Sequence, residues 1–359
     1  MISHRWINLV ASLIFALAVD VAWAAFQDPI DAPAAMTIKA AMQHMNGVAV
    51  AGDSLVAVGR RGVIIVSDDA GKTWTQSVVP VGVDLTAVSF PTAKKGWAVG
   101  HGGVVLSSSD GGKTWTKNLD GRKVVTLVSD YYEKRAQGGD AAAAKLLPDV
   151  KRLVEDGPIH PFLDVWFESE QVGYVVGAFN LILRTDDGGK TWTPWLDRMD
   201  NPKVLHFYGI RGAEGEVFVI GEQGMVLRLD KATQRFVPVP TPYEGSYFGL
   251  ALRPGNLVVV GLRGNAFRSQ DNGKTWRKLD TKLQMAMSGV TFFPDGRLVM
   301  VSVGGDLLLS NDGGETLTRH PVARKGIPMH GVTTVGANGV AIAGMFGVDV
   351  ESVNVETVK

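Results

Sequence analysis

The chain has 359 residues, with 36 basic side chains (Lys+Arg) balanced by 36 acidic ones, 43 glycines, 9 tryptophans and no cysteine. A formal net charge of zero excludes a protein that coats nucleic acid or an anionic membrane by bulk charge. The absence of cysteine excludes disulfides, thiolate metal sites, iron–sulfur clusters and cysteine nucleophiles. A chain of this length that is rich in glycine and tryptophan favours an architecture built from internal repeats.

The first 24 residues have the organisation of a secretory signal peptide. His4 and Arg5 precede an apolar stretch over residues 6–19, and Ala22 and Ala24 occupy the small-residue positions of a cleavage site. As a helix, the apolar stretch is too short to cross a hydrocarbon core of ~30 Å. We therefore expect an exported protein with no membrane span after cleavage, and an N-terminal arm over residues 25–44.

An eight-residue motif with the consensus Ser/Thr-x-Asp-x-Gly-Lys/Glu-Thr-Trp/Leu occurs five times, beginning at residues 67, 108, 185, 269 and 310. The spacing corresponds to a repeat of about 40 residues, with a degenerate copy at residues 229–236 and a decayed seventh copy that keeps Ser352. The aspartate and tryptophan positions of the five clear copies are Asp69, Trp74, Asp110, Trp115, Asp187, Trp192, Asp271, Trp276 and Asp312.

Two further strand signals precede each motif, separated by glycine-containing turns. The first strands of the units are expected at residues 47–50, 85–90, 163–168, 205–210, 248–252, 289–293 and 331–335. Four short strands per unit are typical of a propeller blade, and closing the blades into a ring protects the sheet edges. The sequence therefore predicts an all-β, seven-bladed β-propeller over residues 45–359, with a short helical insertion at about 122–158 in the connection between blades 2 and 3.

The repeated motif is expected to be structural. In a hairpin turn, the Ser/Thr hydroxyl and the Asp carboxylate can accept backbone N–H groups, the glycine permits a positive φ, and the tryptophan can fill the wedge between blades. The Gly-Lys-Thr segments lack the earlier glycine of a phosphate-binding loop. The Asp-x-Asp pattern and the bidentate glutamate of an EF-hand are also missing.

These motifs resemble the Asp-box, or BNR, repeats of sialidases and of several non-enzymatic propellers. Segments such as residues 58–64, with the pattern Val-Gly-x-x-Gly-x-Ile, lead into the boxes. Over residues 45–350 the chain resembles the photosystem II stability/assembly factor-like family of seven-bladed BNR propellers. In photosynthetic organisms, this resemblance implies a lumenal assembly chaperone that binds a reaction-centre polypeptide. The chain departs from the cyanobacterial pattern because it has no lipidation cysteine, and it has no obvious chloroplast transit peptide.

Partner contacts are expected on the face opposite the boxes, because the loops there vary between blades. The resemblance implies an arginine-rich binding surface. The candidates on turns of that face are Arg60, Arg61, His101 and Arg263.

The helical insertion is expected to reach the same face, either as a lid over the channel mouth or as an element that docks a partner. Its candidate contact residues are Tyr131, Tyr132 and Arg135, and Asp140 is suited to cap its second helix, in which Pro148 would introduce a kink or restart. The expected partner is a membrane protein or its exported segment.

Four histidines, His44, His160, His206 and His330, precede first strands and are expected near the channel rim. They could hold a metal, but blade geometry should spread them apart, so we expect neither a metal nor a cofactor.

Two alternatives to a non-enzymatic assembly factor remain. A sialidase-like glycoside hydrolase would need a tyrosine nucleophile with a glutamate partner; Tyr247, Tyr208, Glu222, Glu244 and Asp200 are available. The Phe-Arg-Ile-Pro signature of sialidases is absent, however, and those enzymes have six blades. The second alternative is a generic periplasmic adaptor of a transporter or envelope complex.

Overall fold

The structure, a computed structural model, describes residues 27–353. Its strands form seven antiparallel sheets arranged as a ring, six with four strands and the seventh with three. The predicted seven-bladed propeller and its helical insertion between blades 2 and 3 are therefore confirmed. The predicted signal peptide at residues 1–24 lies outside the described residues.

Each blade is an antiparallel meander whose strands are lettered a to d from the central channel outward. Strand a begins within two residues of the predicted position in every blade. The strands are β1 (Met45–Ala51), β2 (Ser54–Gly59), β3 (Ile64–Ser67), β4 (Thr75–Gln76), β5 (Leu85–Ser89), β6 (Gly96–Gly100), β7 (Val105–Ser108), β8 (Thr116–Leu119), β9 (Phe162–Phe167), β10 (Gly173–Gly177), β11 (Ile182–Thr185), β12 (Thr193–Pro194), β13 (Phe207–Ala213), β14 (Glu216–Gly221), β15 (Val226–Asp230), β16 (Arg235–Pro238), β17 (Tyr247–Arg253), β18 (Asn256–Gly261), β19 (Ala266–Ser269), β20 (Arg277–Leu279), β21 (Met287–Phe292), β22 (Leu298–Ser302), β23 (Leu307–Ser310), β24 (Thr318–His320), β25 (Met329–Val335), β26 (Gly339–Gly344) and β27 (Gly347–Ser352).

The core lies between the blades. The b strands are apolar along their length and almost completely buried, because each is covered on both faces by neighbouring blades. One cluster, for example, packs Val56 and Val58 of blade 1 against Ala98 and Leu106 of blade 2. Since every sheet buries both faces, the ring is held together by side-chain packing between blades.

The Asp-box motifs form the c–d turns. In blade 1, the Ser67 hydroxyl accepts the Gly71 N–H at 2.8 Å, and the Asp69 carboxylate accepts the Thr73 N–H at 2.8 Å and the Thr73 hydroxyl at 2.6 Å. The same pattern recurs in blades 2, 3, 5 and 6. In the degenerate box of blade 4, Phe236 takes the tryptophan position and is fully buried. We call the side of the ring that carries these turns the box face.

Residues 28–42 of the N-terminal arm run across blade 1. Asp31 pairs with Lys117 of blade 2 at 3.0 Å, and the Ala35 carbonyl accepts Gln76 Nε2 of blade 1 at 3.0 Å. The 3-10 turn Ala40–Met42 then packs against β27 of blade 7. Within residues 27–353, blades 1 and 7 share no strand, so the arm spans the place where the ring closes.

The insertion consists of α1 (Gly121–Gln137) and α2 (Ala141–Asp156). Asp120 caps α1, and Asp140 caps α2 by accepting the Ala142 and Ala143 N–H groups at 3.0 and 3.1 Å. Of the kink or restart predicted at Pro148, the restart does not occur, because α2 continues through this residue. The two helices pack on each other and on the outer side of blade 3, and none of their residues lines the central channel, so they do not form the lid considered above.

Candidate partner-binding face

The b–c turns lie on the face opposite the boxes, together with the d–a connections; we call it the b–c face. Five of these turns place two successive residues in the left-handed region. In the four turns that have glycine at the second position, a Cβ would meet backbone; at Gly62, for example, it would lie 1.9 Å from the Val81 carbonyl oxygen. The residue at the first position differs between blades, and its side chain is exposed in the four turns where it is not glycine. The five pairs are Arg61–Gly62, Gly102–Gly103, Phe179–Asn180, Gln223–Gly224 and Arg263–Gly264.

The basic candidates occupy two parts of this face. Arg60 and Arg61 of blade 1 lie near His101 of blade 2, since Asp84 accepts the Arg61 N–H with its carboxylate and the His101 N–H with its carbonyl. Arg263 occupies the equivalent turn position in blade 5, across the ring. Within residues 27–353, none of the three arginine side chains is within ion-pair distance of a carboxylate.

The candidates on the insertion serve packing within the protein. Tyr132 is fully buried, and its hydroxyl donates to Asp197 Oδ1 at 2.7 Å. Burial, followed by the nearby Asp197 charge, raises the pKa of Tyr132 far above its usual range. Arg135 pairs with Asp140 at 2.6 Å and Asp197 at 2.9 Å, and Tyr131 packs edge-on against Tyr132. The polar groups of Tyr132 and Arg135 are thus already bound within the protein.

A ring of bulged residues surrounds the channel mouth on the b–c face. Every a strand has a β-bulge near its start that turns one side chain into a cavity of about 170 Å³. Small polar members of the ring also bond to the next blade, as Ser288 does to the Met329 carbonyl at 2.6 Å. The seven residues are Asn46, Thr86, Leu163, Tyr208, Phe248, Ser288 and His330.

The four histidines fall into two groups. His44 and His330 stack with ring centroids 4.5 Å apart, whereas His160 and His206 lie on either side of Phe179 at 5.2 and 4.4 Å. Burial, with the nearby His44 and Arg60, lowers the pKa of His330 to about 4, so its ring is neutral at pH 7. No cluster of three or more His, Asp or Glu side chains suited to a metal ion occurs in the part of the chain that the structure describes.

The tyrosines considered for glycoside hydrolysis are poorly suited to nucleophilic attack. Tyr247 is fully buried between blades, and burial raises its pKa to about 12. Tyr208 lies 3.5 Å from Glu222 Oε1, and burial together with this carboxylate raises its pKa. A raised pKa makes the phenolate harder to form, which is the opposite of what an activated nucleophile needs.

The seven-bladed ring, the box turns and the variable turns of the b–c face together define a seven-bladed Asp-box propeller. The sequence model of the family described as "Photosynthesis system II assembly factor YCF48" matches residues 53–133 and 158–326, more than half of the chain. The protein therefore belongs to this family. The unmatched stretch between the two segments contains all of α2.

Similar proteins carry photosystem II names. The photosystem II assembly lipoprotein Ycf48 of Synechococcus sp. (strain CC9902) is 28% identical over 164 residues, covering 43% of this chain and 47% of that protein. The chloroplastic photosystem II stability/assembly factor HCF136 of Arabidopsis thaliana is 24% identical over 208 residues, covering 49% and 51%. The chain thus spans about half the length of the curated relatives it matches.

Solved structures share the fold at low sequence identity. A structure described as "YCF48 bound to D1 peptide" superposes with a TM-score of 0.65 at 16% identity, covering 88% of this chain and 95% of that one. YCF48 from Cyanidioschyzon merolae gives 0.64 at 17% identity, covering 89% and 98%. A glycoside hydrolase, GH74 from Niastella koreensis, gives 0.56 at 16% identity, covering 86% and 52%. Among residues 27–353, no helix is long and apolar enough to cross a membrane.

Proposed function

We propose that this protein is an exported, non-enzymatic assembly factor that holds a segment of a membrane protein on its b–c face. Three findings support the proposal: membership of the YCF48 family, the assembly-factor names of the relatives, and the likeness in fold to YCF48 bound to D1 peptide. Export is supported by the signal-peptide pattern of residues 1–24.

One structural observation carries the choice of surface. The exposed guanidinium groups of Arg60, Arg61 and Arg263 have no carboxylate partner within residues 27–353, although the molecule has equal numbers of acidic and basic side chains. Arginines that have no carboxylate partner and stand on fixed turns can bind carboxylates of a partner in a bidentate geometry. The partner segment is accordingly expected to carry acidic groups.

Charge reversal on the two faces tests this assignment. The triple variant Arg60→Glu, Arg61→Glu, Arg263→Glu should lose a membrane-protein partner that the wild-type protein captures from native membranes, as judged by mass spectrometry. The matched control reverses three exposed box-face lysines, Lys72, Lys190 and Lys274, with the same change in net charge.

Retained capture by the arginine variant, or equal loss by both variants, would overturn the proposed surface. The identity of the captured protein also decides between a photosystem subunit and the transporter or envelope complex of the adaptor alternative.

A further inference from the structure

A small apolar cavity of about 110 Å³ lies between α2 and blade 3, at the outer part of the b–c face. Its walls are mainly Leu146 and Leu153 of α2, and Leu181, Leu196 and Val204 of blade 3 and the following loop. Dry apolar cavities of about 150 Å³ admit a molecule as large as benzene. This cavity is therefore of a size for one apolar side chain.

Backbone strain is concentrated at this cavity. Phe179 (φ +51°) and Val204 (φ +55°) both line it and both lie in the left-handed region. This region is unfavourable for bulky and β-branched residues. Phe179 and Val204 are the largest apolar residues in the left-handed region among those that the structure describes. Strain of this kind persists only where the surroundings enforce it, and it gathers at ligand-binding sites.

Specific hydrogen bonds enforce the strained conformations. Asn180 stands where the equivalent turns have glycine; its side chain donates to the Leu196 carbonyl at 3.2 Å and accepts from Asn201 Nδ2 at 3.0 Å. Asn201 in turn accepts the Leu205 N–H at 3.0 Å and so fixes the loop around Val204. The result is that Phe179 is held half exposed at the cavity mouth, between the rings of His160 and His206.

A buried polar atom also faces this site. His160 is 93% buried and lines the cavity, and its Nε2 makes no hydrogen bond within the protein. The nearest carboxylate oxygen, Asp156 Oδ2, is 3.1 Å away but is not aligned for one. A buried nitrogen without a hydrogen bond is destabilising, and a polar group of a ligand could supply the missing bond.

The charges at the cavity mouth define the occupant further. Asp149 and Asp156 of α2 line the cavity with one basic residue, Arg152, so the mouth has an acidic excess. An apolar group next to a positive charge complements this arrangement. All three residues belong to α2, which the family's sequence model does not match.

We propose that this cavity binds one leucine-sized apolar side chain of an extended partner segment, with an adjacent basic residue of that segment meeting Asp149 and Asp156. This inference rests on the proposed function, because it assumes a polypeptide partner on the b–c face. The cavity adds a second contact at the edge of the face, distinct from the arginines. This contact would favour partner segments with that particular sequence.

Short blocked peptides test the cavity without the native partner. Methyl NMR spectra of Leu153 and Val204 are recorded during titration with a tetrapeptide in which leucine precedes lysine. Saturable shifts are expected, with binding weakened at least about tenfold, or about 1.4 kcal/mol, when alanine replaces leucine or glutamate replaces lysine. Absence of saturable shifts with the leucine–lysine peptide would overturn the proposal.

The variant Phe179→Gly separates binding from folding. Glycine tolerates the left-handed conformation, so the melting temperature should stay equal or rise, while peptide binding falls about tenfold. Gln223→Gly is the matched control, because it also introduces glycine at the equivalent turn position of blade 4 (φ +52°) and should leave peptide binding unchanged.

Undiminished binding by Phe179→Gly would overturn the proposal, and so would toluene binding as tightly as the peptide, since the cavity would then hold a small apolar molecule. The peptides contain no native partner and the capture experiment contains no peptide. Either proposal can therefore fail while the other stands.

Discussion

The two faces of the ring use repeated turns in opposite ways. On the box face, backbone and side chains repeat together: Ser or Thr, Asp and Thr make the same bonds in blades 1, 2, 3, 5 and 6. On the b–c face, the backbone repeats but the exposed residue changes, from Arg61 to Phe179 to Arg263. A turn that repeats its side chains is constrained by folding, whereas a turn that repeats only its backbone leaves a position free for binding.

The largest expected effect is on the box face. Trp115 is 94% buried between blades 1 and 2, and its indole N–H donates to the Gly112 carbonyl at 2.8 Å. Trp115→Ala should destabilise the protein by about 4 kcal/mol, because it opens a large cavity between blades. Urea unfolding measures the loss of stability. The comparison is Trp276→Ala, which removes a partly exposed box tryptophan and is expected to cost less. Equal losses would contradict the packing argument.

On the b–c face, the constraint lies in the backbone. Gly62→Ala should cost about 3 kcal/mol, since its Cβ would lie 1.9 Å from the Val81 carbonyl oxygen at a φ of +72°. Gly255→Ala is the control with a similar φ of +67° and open space around it, and should cost about 1 kcal/mol. The difference in melting temperature between the two variants measures the cost of the close contact with Val81. Similar melting temperatures would contradict the claim that this contact is costly.

Acid should weaken the box face. Hydrogen bonds from the threonine side chain and backbone of each box lower the pKa of Asp69 and Asp271 to about 2. Groups with a depressed folded-state pKa stabilise fully above the unfolded value, near 4, and this contribution is lost as the pH falls through about 2. The double variant Asp69→Asn, Asp271→Asn should flatten the dependence of urea-unfolding stability on pH between these values. If the stability of the double variant depended on pH as steeply as that of the wild type, the link between these two carboxylates and acid sensitivity would be refuted.

A single box aspartate should have a moderate effect at neutral pH. Asp110→Ala removes the acceptor of the Thr114 hydroxyl and N–H and should cost about 1 kcal/mol, because solvent replaces part of these bonds at an exposed carboxylate. Partner capture should be unchanged, since the box lies on the opposite face. Lost capture with intact stability would reverse the roles assigned to the two faces.

The smallest stability effect is expected from the arginines. Arg263→Glu alters an exposed side chain at a position that already accepts Arg, Gln, Gly or Phe, so the unfolding free energy should change by less than about 0.5 kcal/mol. Chemical denaturation checks this. A larger loss would show that Arg263 supports the turn itself.

The ring, its seven blades and the insertion could be predicted because they depend on local patterns that repeat along the chain. The box consensus places the c–d turns of blades 1, 2, 3, 5 and 6, and Asp140, the predicted cap of α2, is adjacent in sequence to the helix it starts. The role of Tyr132 could not be predicted in this way: its partner Asp197 is 65 residues away, and only the packed structure brings them together.

The cavity beside blade 3 could not be predicted from the sequence for a similar reason. One local signal was present, since Asn180 stands where the equivalent turns of blades 1, 2, 4 and 5 have glycine. The consequence of that exception depends on Asn201 and on α2, which are distant in sequence from the turn. An exception within a regular repeat is therefore the best guide to such a site.

The meeting of blades 1 and 7 has a mechanical consequence. Among residues 27–353, these two blades share no strand, and the seam is bridged by side-chain packing and by the arm over residues 28–42. If the arm were cut, each blade would stay intact, but blades 1 and 7 would lose one of these two links and should separate more easily than before. Amide hydrogens of β1 and β27 should then exchange before those of blade 4, on the far side of the ring.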